Sequence, residues 1–209
     1  YINKNSIYIT IPKKITKNER NLISKYSDNS LISGGKTRFE SLKNALKKID
    51  SNKYEILMIH DAARPVVPKN TFIKLFESMK KNKYHCSLPA TVIEDTIRKN
   101  NKTLKRNDYK TYQTPQLFNF NYFKSKIKLT KHLPTDDFGV IEANKNLKIK
   151  YIQSSKQNIK ITKKDDIKNL NNIINFNIKY LNGFDIHRLR KGRYLSLAGL
   201  KIKSKYESI

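Results

Sequence analysis

The densest group of reactive side chains lies in the hexapeptide HDAARP, residues 60–65. It contains a carboxylate at Asp61 and a guanidinium at Arg64, with the small residues Ala62 and Ala63 between them. Small side chains let a ligand approach the backbone closely, and arginine can hold a phosphate group through two hydrogen bonds. From these residues alone, a phosphate-binding loop and a purely structural Asp–Arg pair both remain open.

Three further polar clusters have a similar placement. Residues 33–35 (SGG) precede a predicted helix N-terminus, where free amides favour anions, and Ser41 lies one turn into that helix. Residues 135–137 (TDD) are predicted to begin another helix. In residues 158–162 (NIKIT), Lys160 shares one face of a predicted strand with its polar neighbours. Each cluster by itself also fits an ordinary turn, a helix cap or a solvated strand face.

Near the C-terminus, Asp185 and His187 form an Asp-x-His pair. In an extended segment this spacing puts both side chains on one side, where they could share a metal ion. Without further information, two solvent-exposed surface residues are the simpler interpretation.

The apolar pattern predicts an α/β domain that positions these clusters. Residues 56–59 (ILMI) form a short apolar run typical of a strand buried on both faces, and HDAARP follows it directly. In open α/β sheets, ligands bind beyond the carboxyl ends of the strands. The alternation of strands and helices predicts a largely parallel sheet, whereas Pro89 to Phe118 reads as an inserted β-arm or long loop. The predicted strands are 7–11, 56–59, 84–88, 149–153 and 159–162, and the predicted helices are 16–26, 37–49, 70–79, 122–128, one after Thr135 and 165–176, with capping boxes at Thr16/Glu19 and Thr37/Glu40 and a cap at Asp165.

The composition leaves two classes of partner to weigh. Net charge is +27, from 44 Lys+Arg against 17 Asp+Glu, which permits binding to nucleic acid or to an anionic membrane. Lysine supplies most of this charge but is scattered through every segment, and its abundance together with Asn and Ile indicates A/T-rich codons. We therefore expect no nucleic-acid partner, although a basic nucleic-acid-binding protein remains the alternative.

The composition also bears on the cellular compartment. No apolar run approaches the roughly 20 residues that span a bilayer, and no signal-peptide pattern opens the sequence, so we expect no membrane partner. The single cysteine, Cys86, excludes an internal disulfide framework and fits a reducing compartment. These features predict a cytoplasmic protein.

Read in order, the chain carries GGKTRFES, HDAARP, EDTI, LKR, QTPQLF, TDD and NIKIT. This series resembles the 2-C-methyl-D-erythritol 4-phosphate cytidylyltransferases of the non-mevalonate isoprenoid pathway. The resemblance implies a Rossmann-like nucleotidyltransferase fold, with helices on both faces of a largely parallel sheet and an inserted β-arm. Enzymes of that family join the 4-phosphate of methylerythritol phosphate to the α-phosphate of CTP, release pyrophosphate and need a divalent cation, usually Mg²⁺.

The resemblance also implies a role for particular residues. Lys160 and Arg106 would be catalytic, Lys160 by stabilising negative charge that develops on the α-phosphate. Thr96 and Arg106 would reach across from a partner subunit, so that residues 89–118 interlock a homodimer. The substrate-binding residues would be Gly35 and Ser41 beside the cytosine and ribose, and Asp61, Ala62, Arg64, Thr96, Thr114 and Thr135 around the phosphates and methylerythritol phosphate.

The sequence departs from the family pattern at its N-terminus. The family begins with a strand and a glycine-rich loop that grips the CTP phosphates, but no glycine precedes Gly34 here. The chain therefore resembles the family from its second strand onward. We expect the 209 residues as they stand not to catalyse the transfer at a useful rate, and a degenerate, non-catalytic relative is a further alternative.

The tail carries a second resemblance. The segments GFDIHRL (183–189) and AGLKI (198–202) are similar to the opening of 2-C-methyl-D-erythritol 2,4-cyclodiphosphate synthase, a lyase of the same pathway. In that family the Asp and His of this motif bind zinc together with a later histidine, so Asp185 and His187 would be an incomplete zinc site. The implied organisation is a bifunctional enzyme fragment, with residues 1–178 from the cytidylyltransferase domain and 179–209 from the start of the cyclase.

Overall fold

The computed structural model describes residues 2–29, 31–80, 83–130, 133–175, 189–192, 194–197 and 200–208. These residues belong to two compact units, Tyr1–Lys168 and Asn169–Ile209. The strands of the first unit are β1 (Thr10–Ile11), β2 (Ile32–Ser33), β3 (Ile56–Ile59), β4 (Cys86–Val92), β5 (Ile97–Lys99), β6 (Lys102–Leu104), β7 (Lys110–Tyr112), β8 (Gln116–Asn119) and β9 (Ile149–Gln153). Its α-helices are α1 (Lys17–Ser24), α2 (Arg38–Leu46), α3 (Lys69–Met79), α4 (Phe120–Ile127) and the beginning of α5 (Lys164–Asn175), and short 3-10 helices cover Lys4–Ser6, Arg106–Asp108 and Phe138–Val140.

The first two helices begin where the sequence predicts. At α1, Thr16 Oγ1 accepts from the Glu19 amide at 3.2 Å and Glu19 Oε2 accepts from the Thr16 amide at 2.8 Å, a complete capping box. At α2, Thr37 Oγ1 accepts from the Glu40 amide at 3.1 Å. The Glu40 carboxylate, however, accepts from the Lys36 amide at 2.6 Å, so the second box closes one residue earlier than predicted.

The central sheet is mixed rather than purely parallel. Strand β8 pairs antiparallel with both β3 and β4, and β4 pairs parallel with β9. Consequently β3, β4 and β9 run in one direction, as the strand–helix alternation predicts, while most of the pairings are antiparallel. A separate parallel pair joins β1 to β2. The α/β class is thus confirmed, and the departure from a largely parallel sheet comes from β8 and from β7, which pairs antiparallel with β4.

The placement of β8 corrects the predicted extent of the arm. Residues 116–118 were expected in the inserted segment, but they lie in the centre of the sheet, where Leu117 and Phe118 are fully buried. The two side chains point to opposite faces of the sheet, as successive strand residues must. Leu117 packs in a cluster with Leu75, Met79 and Ile152. The other cluster contains Phe118 together with Phe39, Leu46, Leu57, Cys86, Leu88, Phe120, Phe123, Ile127, Val140 and Ile141.

These two clusters place helices on both faces of the sheet. Helix α3 covers one face through Leu75 and Met79. Helices α2 and α4 cover the other through side chains such as Phe39 and Phe123. The expected three-layer arrangement is therefore present.

The inserted β-arm begins where β4 extends beyond its pairing with β8 in the central sheet. Strand β4 continues past β8 and pairs antiparallel with β7, while β5 and β6 form an antiparallel hairpin. The hairpin turns at Asn100 and Asn101, whose φ angles are 48° and 63°. Two consecutive positive φ values match the twist of the flanking strands, and asparagine tolerates this conformation well.

Several predicted elements differ in detail. Residues 7–11 contribute only the two-residue β1, and residues 159–162 form no strand, because the Ile161 amide donates to Ala63 O at 2.8 Å and ties this segment to the HDAARP loop. The region after Thr135 contains a 3-10 helix instead of an α-helix. Asp165 does not cap α5, because it lies inside the first turn; it is Asp166, in the same turn, whose Oδ2 accepts from the Thr162 and Lys163 amides before the helix.

The second unit contains two antiparallel strand pairs. Strand β10 (Leu189–Lys191) pairs with β13 (Tyr206–Ser208), and β11 (Tyr194–Leu197) pairs with β12 (Leu200–Lys203). Across the part of the chain that the structure describes, no helix combines the length and apolar character needed to cross a membrane.

Candidate functional site

The loop after β3 is fixed by a short chain of hydrogen bonds. The Asp61 amide donates to Thr114 Oγ1 at 3.0 Å, and Thr114 Oγ1 lies 3.1 Å from His60 Nδ1. His60 Nε2 lies 2.9 Å from Arg64 O and must donate to it, so Nδ1 accepts from the threonine hydroxyl. Desolvation by the surrounding loop lowers the pKa of His60, in agreement with this neutral tautomer. The loop therefore holds Asp61 at a defined position.

Asp61 is the centre of a group of four charged side chains. Its Oδ1 accepts from Arg38 Nε at 3.1 Å and Nη2 at 3.0 Å, and its Oδ2 lies 2.9 Å from Lys160 Nζ. Arg38 also makes a two-bonded contact with Asp137, at 2.5 Å to Oδ1 and 2.6 Å to Oδ2. We call these four residues, Arg38, Asp61, Asp137 and Lys160, the charge cluster. It joins the N-terminus of α2, the loop after β3, the segment after Thr135 and the segment after β9.

Burial and charge act on the carboxyl groups of this cluster in opposite directions. Burial raises the pKa of Asp61, but the hydrogen bond from Lys160 and the charge of Arg38 outweigh it, so the pKa lies below its usual range. Asp137 has a side chain only 1% exposed, and burial raises its pKa more than Arg38 lowers it. Burial lowers the pKa of Arg38, yet its two carboxylate partners outweigh this effect and raise the pKa overall. Arg38 thus carries a firmly held positive charge.

Asn158 fastens the lysine-bearing segment to the rest of the site. This residue is fully buried, and its Nδ2 donates to Thr114 O at 2.9 Å and to Gln113 Oε1 at 3.1 Å. Its backbone oxygen accepts from Arg64 Nη1 at 2.8 Å. Asn158 therefore fixes the spacing between Arg64 and Lys160, two cations that face the same end of the sheet.

The glycine segment before α2 packs tightly against that helix. The Gly35 amide donates to Ser41 Oγ at 3.0 Å, and Ser41 Oγ donates to Thr37 O at 3.0 Å. A Cβ at position 35 would lie 2.2 Å from Glu40 Cβ, so a side chain there would displace the helix. The same helix carries Arg38, which connects this segment to the charge cluster.

The structure brings five of the predicted site residues together around the loop after β3. Asp61, Arg64, Thr114 and Lys160 share the contacts given above, with Ala62 in the same turn. Gly35 and Ser41 lie together at the start of α2. The other predicted residues fall in three places: Thr135 is exposed two residues before Asp137, Thr96 and Arg106 lie in the arm, and Asp185 and His187 lie outside the described residues.

The two arm residues stand apart from the charge cluster. Arg106 Nη1 donates to the backbone oxygen of Glu94, within the arm itself. Thr96 is exposed between β4 and β5. Over the described ranges, no hydrogen bond or ion pair joins either residue to Asp61 or Lys160 of the same chain.

Sequence reasoning missed Arg38, Asp137, Asn158 and His60 as parts of the site. Arg38 is the first residue of a helix whose N-cap the sequence identifies, but nothing in the sequence shows where its side chain points. A paired Asp136-Asp137 is a visible signal, yet only the fold shows that the second carboxylate is buried against Arg38. Asn158 was interpreted as part of a strand face shared with Lys160, whereas it is a buried connector.

The carboxylates of the site are largely engaged by cations. Both oxygens of Asp61 and both of Asp137 accept from Arg38 or contact Lys160. Within the described parts of the chain, no group of three or more His, Cys, Asp or Glu side chains could hold a metal ion.

The sequence that carries these residues matches a known family. A family model described as 2-C-methyl-D-erythritol 4-phosphate cytidylyltransferase matches residues 2–175. The chain belongs to this family. The family resemblance inferred from HDAARP, QTPQ and NIKIT is therefore confirmed, and the cytidylyltransferase signature covers nearly the whole first unit.

The relatives of this cytidylyltransferase-family chain are longer than it is. The "bifunctional enzyme IspD/IspF" of Campylobacter fetus is 36% identical over 206 residues, which is 97% of this chain and 54% of that protein. The protein of the same name from Pelagibacter ubique is 40% identical over 197 residues, 91% of this chain and 51% of its own length. The chain thus spans about half the length of the curated relatives it matches.

Solved structures agree with the assignment. The bifunctional IspDF of Campylobacter jejuni superposes with a TM-score of 0.63 at 31% identity, covering 95% of this chain and 51% of that one. A 4-diphosphocytidyl-2C-methyl-D-erythritol synthase from Anaerococcus prevotii has a TM-score of 0.69 at 24% identity, covering 81% of this chain and 78% of the other, and it supports the fold alone. The expected nucleotidyltransferase fold is confirmed by these comparisons.

Proposed function

We propose that the protein transfers a cytidylyl group from CTP to 2-C-methyl-D-erythritol 4-phosphate and releases pyrophosphate, a step of isoprenoid precursor synthesis. The observation that carries the proposal is the convergence of Arg64 and Lys160 on the loop that follows β3, in a member of the cytidylyltransferase family. Two fixed cations at the carboxyl end of a sheet strand suit substrates that carry phosphate and triphosphate groups.

The reaction requires positioning and charge neutralisation more than covalent chemistry by the protein. An oxygen of the 4-phosphate attacks the α-phosphorus of CTP, and the bond from that phosphorus to the oxygen of the leaving pyrophosphate breaks. Lys160, with its side chain 44% exposed, is the cation that can contact the α-phosphate as charge develops there. Arg64, held by the Asn158 carbonyl, would bind a second phosphate group. Mg²⁺, or another divalent cation, would arrive with CTP and neutralise part of the triphosphate charge.

We propose that the nucleotide base binds beside the glycine segment, as the family resemblance implies. Gly35 and Ser41 lie next to each other at the start of α2, and a larger residue at position 35 would collide with that helix. We assign the cytosine and ribose to this segment, and Asp61, Ala62, Thr114 and Thr135 to the neighbourhood of methylerythritol phosphate.

We also propose that the arm completes the site of a partner subunit in a homodimer. Thr96 and Arg106 would act there, since within one chain they lie away from the charge cluster. The proposal is supported by exposed apolar side chains on and beside the arm: Val92 is 57% exposed, Tyr109 45%, Tyr112 40% and Tyr151 42%. Exposed groups of this kind on an extended arm are typical of an association surface.

The tail supports a second proposed activity for a longer bifunctional protein. The relatives from Campylobacter and Pelagibacter are bifunctional by name, and the chain matches about half of their length. We propose that residues 179–209 open a cyclase domain, a lyase that forms 2-C-methyl-D-erythritol 2,4-cyclodiphosphate and releases CMP. Asp185 and His187 would be two of the ligands of its divalent metal, such as Zn²⁺.

The proposed transfer is tested first by substrate binding, measured by calorimetry. Methylerythritol phosphate should bind in the presence of CTP and Mg²⁺, whereas methylerythritol without its phosphate should not. Lys160→Met should weaken binding of the phosphate-bearing substrates by about tenfold, the effect of one charge-assisted hydrogen bond. Lys163→Met removes an exposed lysine three residues away and serves as the matched control. Equal binding of methylerythritol with and without phosphate would contradict the proposal.

Catalysis is tested by mass spectrometry of the products. CTP, methylerythritol phosphate and Mg²⁺ should give pyrophosphate and the cytidylylated product, and other nucleoside triphosphates should react more slowly. The nucleic-acid alternative would instead be supported by tight RNA or DNA binding that falls steeply with salt and depends on sequence. A cytoplasmic location and the absence of nucleic-acid and membrane partners stay predictions.

A further inference from the structure

Arg38 holds two carboxylates at once, and it does so from a rigid position. It is the first residue of α2, and its guanidinium makes two bonds to Asp61 Oδ1 and one to each oxygen of Asp137. The planar fork of arginine permits this double contact, which a lysine could not reproduce. The guanidinium of Arg38 is therefore held by two carboxylates at once.

Asp137 acts as the anchor of this arrangement. Its side chain is 1% exposed, and a carboxylate removed from water in this way needs a paired cation. Asp137 stands at the start of the 3-10 helix Phe138–Val140, beside Asp136, whose oxygens accept from Gln116 and from the Gly139 amide. Because the hydrogen bonds of Asp136 fix this segment, Asp137 keeps Arg38 in place.

The second oxygen of Asp61 carries Lys160, in a more open position. Asp61 has a side chain 14% exposed, whereas Lys160 is 44% exposed. Lys160 can therefore leave Asp61 for another anion without opening the fold. If Arg38 were missing, Asp61 would have Lys160 as its remaining cation in the charge cluster, and it would compete with that anion.

We propose that Arg38 is a positioning residue, which neutralises one oxygen of Asp61 so that Lys160 can move from the other oxygen to a phosphate group of the substrate. The proposal rests on the proposed function only for the identity of that phosphate. In this role, Arg38 acts on Lys160 only by neutralising Asp61, and Arg38 does not contact the phosphate.

The proposal is tested by the acylation rate of the Lys160 amine, resolved by peptide mass spectrometry at one pH. Arg38→Met should slow the acylation of Lys160 by about tenfold, because Asp61 then holds Lys160 more tightly. Asp61→Asn should speed it up. When Asp61→Asn is already present, adding Arg38→Met should no longer change the acylation rate of Lys160. Lys163 in the same samples should react at a constant rate. An unchanged effect of Arg38→Met in the Asp61→Asn background would overturn the proposal.

The link to phosphate is tested with inorganic pyrophosphate as the probe. Pyrophosphate should protect Lys160 from acylation in the unaltered chain, and Arg38→Met should raise the concentration needed by about tenfold. Adding Asp61→Asn should restore protection, and Arg38→Lys should give an intermediate value, since it keeps the charge but not the fork. Absence of protection in the unaltered chain, or a loss that Asp61→Asn does not restore, would contradict the proposal.

Two controls separate this inference from folding and from the proposed reaction. If Arg38→Met destabilises the chain by leaving Asp137 without a cation, all comparisons are repeated with Asp137→Asn present, where no buried carboxylate is left unpaired. The same pattern of acylation rates should then appear. Should methylerythritol phosphate bind no better than methylerythritol without its phosphate while the pyrophosphate pattern holds, the proposed function fails and the role of Arg38 stands. The reverse result would remove the role of Arg38 alone.

Discussion

At the scale of single residues, Asp61 decides how positive charge is arranged in the site. It lies between Arg38 and Lys160, which contact different oxygens of the same carboxylate. The Thr114 hydroxyl holds the Asp61 backbone, and His60 holds the Thr114 hydroxyl. One carboxylate thus fixes two cations from separate elements, and its ionisation should be visible in the stability of the whole chain.

The first prediction concerns the pH dependence of that stability. The cations lower the pKa of Asp61 in the folded state, so the ionised carboxylate stabilises the fold above its usual pKa of about 3.9 and loses this effect as the pH falls through the lower folded value. The free energy of unfolding should therefore be about 1 kcal/mol smaller in Asp61→Asn than in the native chain at neutral pH. Urea unfolding at a series of pH values measures this difference.

The same experiment has a clear control. The difference between the native chain and Asp61→Asn should shrink as the solution becomes more acidic and disappear below the folded pKa. Asp95→Asn, which alters an exposed aspartate in the arm, should change the free energy of unfolding little at any pH. A difference that grows on acidification would show that Asp61 does not stabilise the fold as an anion.

Residue roles were predictable only in part. Asp61, Arg64 and Lys160 carry recognisable motifs, and the fold brings them to one end of the sheet. Arg38 lies in the motif GGKTRFES and Asn158 in the motif NIKIT. Their roles, however, depend on contacts with Asp137, which is 99 positions from Arg38, and with Thr114, which is 44 positions from Asn158. Local sequence does not encode the partner of a long side chain, because the partner is set by how distant elements pack.

At the scale of elements, β8 is a central strand that the apolar pattern of the sequence does not predict. Apolar runs predict strands flanked by helices, as for Ile56–Ile59, and local sequence predicts the caps at Thr16 and Thr37, although not the one at Asp165. Gln116–Asn119 is a strand inside a stretch without any helical rhythm, and it was assigned to the arm. Its location in the sheet follows from the burial of Leu117 and Phe118 on opposite faces, a property of the assembled fold.

The hairpin of the arm supports a prediction at this scale. Asn100 and Asn101 adopt positive φ, which costs a β-branched residue about 1–2 kcal/mol. Asn101→Val should therefore open the β5–β6 hairpin and speed hydrogen exchange of its amides by roughly tenfold. Asn101→Gly should leave exchange unchanged or slower, since glycine adopts this conformation freely.

A matched substitution tests whether the turn is responsible. Thr103→Val places a β-branched residue in β6, where extended backbone accepts it, and it should not speed exchange. If Thr103→Val and Asn101→Val accelerate exchange equally, the hairpin is governed by its strands and not by its turn.

At the scale of the whole molecule, only a few of the cations behind the net charge of +27 belong to the proposed site. Many lysines lie at the surface, as where Lys110 and Lys126 stand 5.3 and 5.4 Å from the ring centres of Tyr151 and Tyr122. Such contacts add little stability each at exposed sites. The cations that matter for the proposed reaction are the few that the fold fixes at one sheet edge, Arg38, Arg64 and Lys160.

The last prediction concerns the proposed homodimer, in which Arg106 of one subunit serves the site that contains Lys160 of the other. Arg106→Met and Lys160→Met should each weaken the binding of methylerythritol phosphate by about tenfold, so that neither variant alone keeps a site with the native affinity. When equal amounts are unfolded together and refolded, half of the dimers should be mixed, and each mixed dimer should have one intact site. Calorimetry should then find about a quarter of the native number of sites, whereas binding that is confined to single chains would give none. Sedimentation of the unaltered chain should show a dimer, and a monomer with full binding would exclude the shared site.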